Sequence, residues 1–314
     1  MIETQGLTKY YGNYPAIRDV TFAIDEGEIV AFLGPNAAGK TTTMRILTGF
    51  LPASDGVATI AGFDVAEESI EARRCIGYLP ETMPYYPDLT VYQFLSYCAR
   101  LRDVPATVRE DLIDSSMQRC RVDDRADDIM GKLSKGYRQR VGLAQAMVHD
   151  PKVLILDEPT IGLDPAQIQE TREVIRDLGK SHTVLLSTHI LSEAEQVCER
   201  VLIIHEGHLI ADDTPDNLSA RVRGGPTVRV KVLDGGGGVA RALEEIGGVV
   251  RVRKDPSQQE PTYLVDTQGD NDLRPQIASV VVKKGWSLLE LGMVAMSLED
   301  VFIRLTEHPA QPSP

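Results

Sequence analysis

The stretch Gly34-Pro-Asn-Ala-Ala-Gly-Lys-Thr41 has the spacing G-x-x-x-x-G-K-[ST], with the apolar run Glu28–Leu33 before it and a helical stretch, Thr42–Leu47, after it. Glycines let backbone N–H groups curl around phosphate oxygens, and the following helix adds the positive end of its dipole. Lys40 would reach the outer phosphates, and Thr41 would hold Mg²⁺ through its hydroxyl. A second constellation, Val153-Leu-Ile-Leu-Asp157-Glu158, is an apolar strand ending in two carboxylates. A hard Mg²⁺ ion takes oxygen ligands and keeps several waters, so Asp157 suits it directly or through water. Glu158 points another way along the strand and is free to take a proton from an attacking water. The chemistry these residue types would support is hydrolytic phosphoryl transfer.

Such residues need a rigid frame. Residues 1–80 read as short strands broken by turns, with Glu28–Leu33 as a buried parallel strand. From about 83 to 148 the pattern turns helical, over Val91–Leu101 and Val108–Met117, with a charged break at Asp123–Asp128. Strand-like runs then alternate with helices: Val153–Leu156, Ala166–Leu178, Thr183–Ser187, Ser192–Glu199 and Val201–Ile204. That alternation implies an α/β fold with a mostly parallel sheet and helices on its faces. A boundary is expected at Arg221–Pro226, giving domains 1–221 and 222–314. The second parses as βαββαβ, an α+β unit of ferredoxin-like order with a Gly235–Gly238 turn. A last helix capped by Ser297 and a disordered tail are expected to follow it.

The 314 residues carry 33 Lys and Arg against 46 Asp and Glu, a net charge of −13. Residues 1–221 hold 22 basic and 34 acidic side chains, so the acidity belongs to the first domain. That balance disfavours nucleic acid and anionic lipid as direct partners, whose binding rests on clustered Lys and Arg. No run approaches the roughly 20 apolar residues of a membrane span, so no direct membrane insertion is expected. MIETQGLTKYYG lacks the basic start and apolar core of a signal peptide, which points to the cytoplasm. Cys75, Cys98, Cys120 and Cys198 are widely spaced, as buried reduced thiols would be.

The motifs and their order over residues 2–220 resemble the ATP-binding cassette of ABC transporters, a P-loop NTPase (RecA-like) fold with a helical subdomain. The resemblance implies ATP and Mg²⁺ as ligands. It implies that Tyr11 stacks on adenine and that Gly34, Pro35, Asn36, Ala37, Ala38, Gly39, Lys40, Thr41 and Thr42 form the phosphate loop. Glu81, in Gly77-Tyr-Leu-Pro-Glu81, stands where most cassettes have a glutamine that senses Mg²⁺ and the membrane partner. Leu133-Ser-Lys-Gly-Tyr137 resembles the signature motif, whose Ser134 and Gly136 would bind the γ-phosphate of ATP held by a second cassette. Gly162-Leu-Asp164 resembles the loop that touches the opposite subunit, and His189 the switch histidine that orients water with Glu158. Ala37 replaces a glycine; it fits if its φ is negative and is strained otherwise.

The LPE and LSKGY variants together resemble the branch serving ABC-2-type permeases. The function implied is that of an ATPase subunit, with Glu158, His189 and Lys40 catalytic and Thr41, Asp157 and Glu81 around the metal. It would act as a head-to-tail homodimer on a separate integral-membrane permease, in the direction of export, from the inner face of the membrane. The alternative is a soluble cassette ATPase uncoupled from transport; the long coiled coils or paired cassettes of such proteins are not present in this sequence. An NKxD base-reading motif, which a GTPase would carry, is also absent. The second domain would serve dimerisation or permease contact, or sense a small molecule. Tyr92 and Phe94 read as core of the helical insertion, while Tyr85 and Tyr86 fit either core or a docking surface.

Overall fold

In the computed structural model, residues 1–215, 217–218, 227–233, 238–255, 260–268 and 272–294 are described. The chain starts with an antiparallel pair, β1 (Ile2–Tyr11) and β2 (Tyr14–Ile24). Its register shifts after Thr4, Leu7 and Lys9. Those irregularities interrupt the two-residue alternation, which is why strands of 10 and 11 residues read in the sequence as short pieces. Next come β3 (Ile29–Leu33), α1 (Lys40–Leu47), β4 (Asp55–Ile60), β5 (Phe63–Asp64), α2 (Ser69–Arg74) and β6 (Ile76–Leu79). The helical insertion consists of α3 (Val91–Leu101), α4 (Arg109–Arg119) and α5 (Lys135–Met147). Alternation then resumes with β7 (Val153–Asp157), α6 (Pro165–Gly179), β8 (Thr183–Thr188), α7 (Leu191–Val197), β9 (Arg200–His205) and β10 (His208–Asp213).

The apolar runs IVAFL, VLILD, TVLLST and RVLIIH pair as a six-stranded sheet in the order β10-β9-β3-β8-β7-β6, parallel from β9 to β6. Both faces of these central strands are covered, which is what such uninterrupted apolar sequences require. One covering layer is an antiparallel sheet, β2-β1-β4-β5, that periodicity alone does not reveal. Between the sheets Phe22 meets Phe32 at 5.8 Å between ring centroids, amid Ile2, Leu7, Ile155 and Leu202.

Helix α3 starts with a full capping box between Thr90 and Gln93 and buries Val91, Phe94, Leu95 and Cys98. Tyr92 is only half-buried, and Tyr85 and Tyr86 are exposed. Asp123, Asp124, Asp127 and Asp128 are exposed as the composition suggests. Burial pushes the thiols of Cys98 up to about 11 and Cys120 up to about 12, so both stay protonated near neutral pH.

His149, after α5, donates from Nε2 to the Ile76 carbonyl at 3.0 Å, while its buried Nδ1 has no hydrogen-bond partner among the described residues. Burial, with Arg102 adding to it, lowers its pKa to about 4. The unfolded chain, with an ordinary His pKa of about 6.5, therefore binds more protons between these values. Stability is full above pH 6.5 and is lost as pH falls toward 4, by about 2 kcal/mol at pH 5. The thermal midpoint measured at pH 7.5 and pH 5 should differ less in His149→Gln than in the wild type; an equal difference would assign the loss to other groups.

The chain divides into two compact units, Met1–Pro215 and Asp216–Pro314. In the second, β11 (Thr227–Val232), α8 (Val239–Glu244), β12 (Val249–Lys254), β13 (Thr262–Thr267), α9 (Arg274–Lys283) and β14 (Leu288–Val294) follow in βαββαβ order. The sheet runs β12-β13-β11-β14, every pair antiparallel, with Val228, Val230, Tyr263 and Val265 packed on Leu243, Ile277 and Val281. The expected boundary at Arg221–Pro226, most of the Gly235–Gly238 turn, the helix capped by Ser297 and the tail lie outside the described residues.

Candidate functional site

Leu33 pairs with Thr188 across β3 and β8, and Asp157 pairs with Ser187 across β7 and β8. The C-terminal ends of three adjacent parallel strands thus lie side by side, where open α/β sheets bind ligands. From β3 the chain enters the phosphate loop, and two of its positions demand glycine. A Cβ on Gly34 would overlap the Ile204 carbonyl oxygen. Gly39 has φ 114°, and a Cβ there would sit 2.6 Å from Ile17 Cγ2 and 2.8 Å from the Ala16 carbonyl oxygen. No side chain caps α1, so the N–H groups of its first turn are left for an anion.

Ala37 has φ 66°, in the left-handed region, so the second of the two alternatives holds: alanine is strained at this position. Ala37→Gly is expected to raise stability by about 1 kcal/mol. Chemical denaturation checks this, and an unchanged or lower midpoint would show that the loop tolerates the side chain without strain.

At the loop's end Lys40 Nζ donates to the carbonyls of Gly34 and Pro35, at 2.8 and 3.2 Å, and pairs with Glu158 Oε1 at 3.2 Å. The other oxygen, Glu158 Oε2, bonds His189 Nδ1 at 2.8 Å. Glu158 itself has φ 49°, a sharp turn at the end of β7 that swings its side chain away from that of Asp157. Ser187 holds that turn: its hydroxyl accepts from the Glu158 N–H at 2.9 Å and donates to Asp157 Oδ1 at 2.5 Å. Thr41 Oγ1 donates to the same Oδ1 at 3.4 Å. Burial pushes the Asp157 carboxyl upward, against the hydrogen bonds from Ser187 and Thr41.

Asp157 Oδ2 is buried without any hydrogen-bond partner among the described residues. Such an orphaned carboxylate oxygen next to a threonine hydroxyl fits a hard cation. Among the described residues no cluster of three His, Cys, Asp or Glu side chains could hold a metal alone. One carboxylate and one hydroxyl therefore suit an ion whose other ligands are water and phosphate oxygens.

Lys40, Thr41, Glu158 and His189 line a cleft of about 520 Å³ together with Tyr11, Asn36, Ala37, Gly39, Thr42 and the exposed Glu81, while Asp157 and Ser187 are buried and do not line it. Tyr11 is 47% exposed, with the Lys9 ammonium over its ring at 5.9 Å from the centroid. Gly34, Pro35 and Ala38 shape the loop from behind and do not line this cleft. Neither do Ser134 and Gly136. Ser134 is exposed and caps α5, accepting from the Tyr137 N–H at 3.2 Å. Gly136 lies against the side chain of Gln167, whose Cδ would be 2.6 Å from an added Cβ.

Ser187 and Tyr14 are among the contributors that escape sequence reasoning, as are Ala16 and Ile161 of the cleft lining. Ser187 looks like the polar end of a strand until the β7–β8 register sets it beside Asp157. Tyr14 lines the cleft because it pairs with Tyr11 across the β1–β2 hairpin; the aromatic spacing Tyr11-Gly-Asn-Tyr14 is the signal that would have found it.

A family model described as ABC transporter matches residues 17–161. The bacitracin transport ATP-binding protein BcrA of Bacillus licheniformis is 32% identical, over 97% of this chain and 97% of its own. The daunorubicin resistance ATP-binding protein DrrA2 of Streptomyces coeruleorubidus is 33% identical, over 98% of this chain and 95% of its own. A solved structure of the ATP binding subunit of an ABC transporter is 32% identical with a TM-score of 0.63, covering 70% of this chain and 92% of its own. Because the two sequence relatives match almost end to end, the similarity extends into the C-terminal unit.

Proposed function

This chain belongs to the ABC transporter ATP-binding proteins, and from that membership we propose that it hydrolyses ATP in the described cleft to drive a separate membrane permease of the ABC-2 type. The observation that carries the reading is the chain Lys40–Glu158–His189, buried at Lys40 and Glu158 and exposed at His189, next to the orphaned oxygen of Asp157. Phosphate oxygens entering the loop compete with Glu158 for the Lys40 ammonium. When Lys40 turns to the anion, Oε1 loses its cation and becomes able to accept a proton from water. His189 keeps its bond to Oε2 and so fixes the direction in which the free oxygen points.

Tyr11 stacks on adenine, and the loop from Gly34 to Thr42 cradles the phosphates. Asp157 and Thr41 hold Mg²⁺, with Glu81 near it; when bound, the ion neutralises charge on the phosphate oxygens. Ser134 and Gly136, which do not line this cleft, serve the nucleotide of a second copy in a head-to-tail homodimer. ATP bound between two such surfaces favours the closed pair by its differential affinity, which is what shifts a permease between states. Support for export comes from BcrA and DrrA2, named for bacitracin transport and daunorubicin resistance. Among the described residues no helix is long and apolar enough to cross a membrane. The pore therefore belongs to the partner, and the proposed location is the cytoplasmic face of the membrane.

Phosphate release from ATP by the purified chain, titrated with Mg²⁺, tests the reading. Hydrolysis should rise with Mg²⁺, and Glu81→Gln should shift the midpoint of the titration, because it removes a carboxylate that both attracts the ion and repels γ-phosphate. No phosphate release at any Mg²⁺ concentration would sink the function; an unchanged midpoint would remove Glu81 from the surroundings of the metal.

A further inference from the structure

Glu193, on α7, is 4% exposed and touches neither the phosphate loop nor Asp157. Its Oε2 accepts two hydroxyl protons, from Thr160 at 2.6 Å and from Thr188 at 3.1 Å. Both threonines are buried, at 5% and 0% exposure. Thr160 lies two residues after Glu158, in a turn closed by the Ile161 N–H donating to the Glu158 carbonyl. Thr188 immediately precedes His189, and its hydroxyl also accepts from the Ile190 N–H at 3.0 Å. The remaining oxygen, Oε1, has no hydrogen-bond partner among the described residues and lies 3.4 Å from the Arg172 guanidinium of α6, which donates to Gln196 Oε1 at 2.7 Å.

A carboxylate is costly at such depth unless it is paired, and here two hydroxyls and a guanidinium surround it. A plain anchor for α7 would need one of these partners. Instead a single oxygen joins the two backbone segments that carry Glu158 and His189, side chains that must stay 2.8 Å apart.

We propose that Glu193 is a positioning residue for ATP hydrolysis: through Thr160 and Thr188 it sets the segment bearing Glu158 against the segment bearing His189. The inference rests on the roles given to those two residues above. It predicts an effect on turnover with little effect on nucleotide binding, since the phosphate loop is not part of the link. A displacement of about 1 Å at the reacting centre is enough to lower turnover by about 10²-fold.

The test is steady-state ATP hydrolysis by the full chain in Thr160→Val, Glu193→Gln, Glu193→Ala and the double variant Thr160→Val with Glu193→Ala. Rates are expressed per folded molecule, with wild type and Glu158→Gln as references. Thr160→Val keeps the shape and removes one hydroxyl, so it remains informative if Glu193→Ala fails to fold. We expect kcat to fall roughly 10-fold in Thr160→Val and roughly 10²-fold in Glu193→Ala, with KM for ATP within about 2-fold of wild type. Glu193→Gln, which keeps an acceptor oxygen, should recover part of the loss. The double variant should be no slower than Glu193→Ala, because both changes cut one link. A kcat within 2-fold of wild type in Thr160→Val and Glu193→Gln, or multiplying losses in the double variant, would overturn the proposal. A wild type without hydrolysis, or one that Glu158→Gln leaves unaffected, would instead overturn the assignment of the site itself.

Discussion

Glu158→Gln is expected to bind ATP within about 3-fold of wild-type affinity while kcat falls roughly 10²- to 10⁴-fold, the range a positioned general base supplies. The amide keeps the shape of the carboxylate and one acceptor oxygen. It loses the ability to take a proton, and it loses the charge that now faces Lys40 and His189. Single-turnover hydrolysis alongside equilibrium ATP binding measures both quantities. Turnover within 10-fold of wild type would move the base elsewhere, and a parallel loss of binding would make Glu158 part of the nucleotide-holding surface.

Lys40→Ala is expected to act in the opposite sense, on binding first. It removes the only ionisable side chain of residues 34–42, so ATP affinity should weaken by about 10²-fold or more, a loss comparable to removing a preorganised charge stabiliser. It should also lower stability without nucleotide. Removing one member of a buried ion pair costs about 3–5 kcal/mol, and the lower end is expected here because His189 remains bonded to Glu158. The same variant releases the carbonyls of Gly34 and Pro35, which Lys40 now bridges. An ATP titration and a thermal midpoint check the two effects separately; wild-type affinity would contradict the role of Lys40.

Local features of this site were legible before any coordinates. The phosphate loop is contiguous, and each of its requirements, a tight turn, close backbone approach and a cation, maps onto one residue type. The strand-end pair Asp157 and Glu158 is legible for the same reason. What depends on register is not: Asp157 meets Ser187, and Glu158 meets His189, only because β8 lies between β3 and β7. The sign of φ at Ala37 is likewise undetermined by sequence, since alanine itself does not specify it, and only the structure shows the strain. Shifted register hid the length of β1 and β2. Tyr92 is half-buried and not core: helical spacing identifies an apolar face but not how far the neighbouring helices cover it.

The division of the site is the most consequential feature of the account. Lys40, Glu158 and His189 line one cleft that Ser134 and Gly136 do not line, and in the proposed head-to-tail homodimer each chain would supply one part of each nucleotide site. The measurement that addresses this directly is the molar mass of Glu158→Gln by light scattering as Mg²⁺ and ATP are added. The account predicts twice the monomer mass with ATP, the monomer mass without it, and loss of the dimer when Ser134 is also replaced. A monomer at every saturating ATP concentration, from a chain whose wild type hydrolyses ATP, would contradict it.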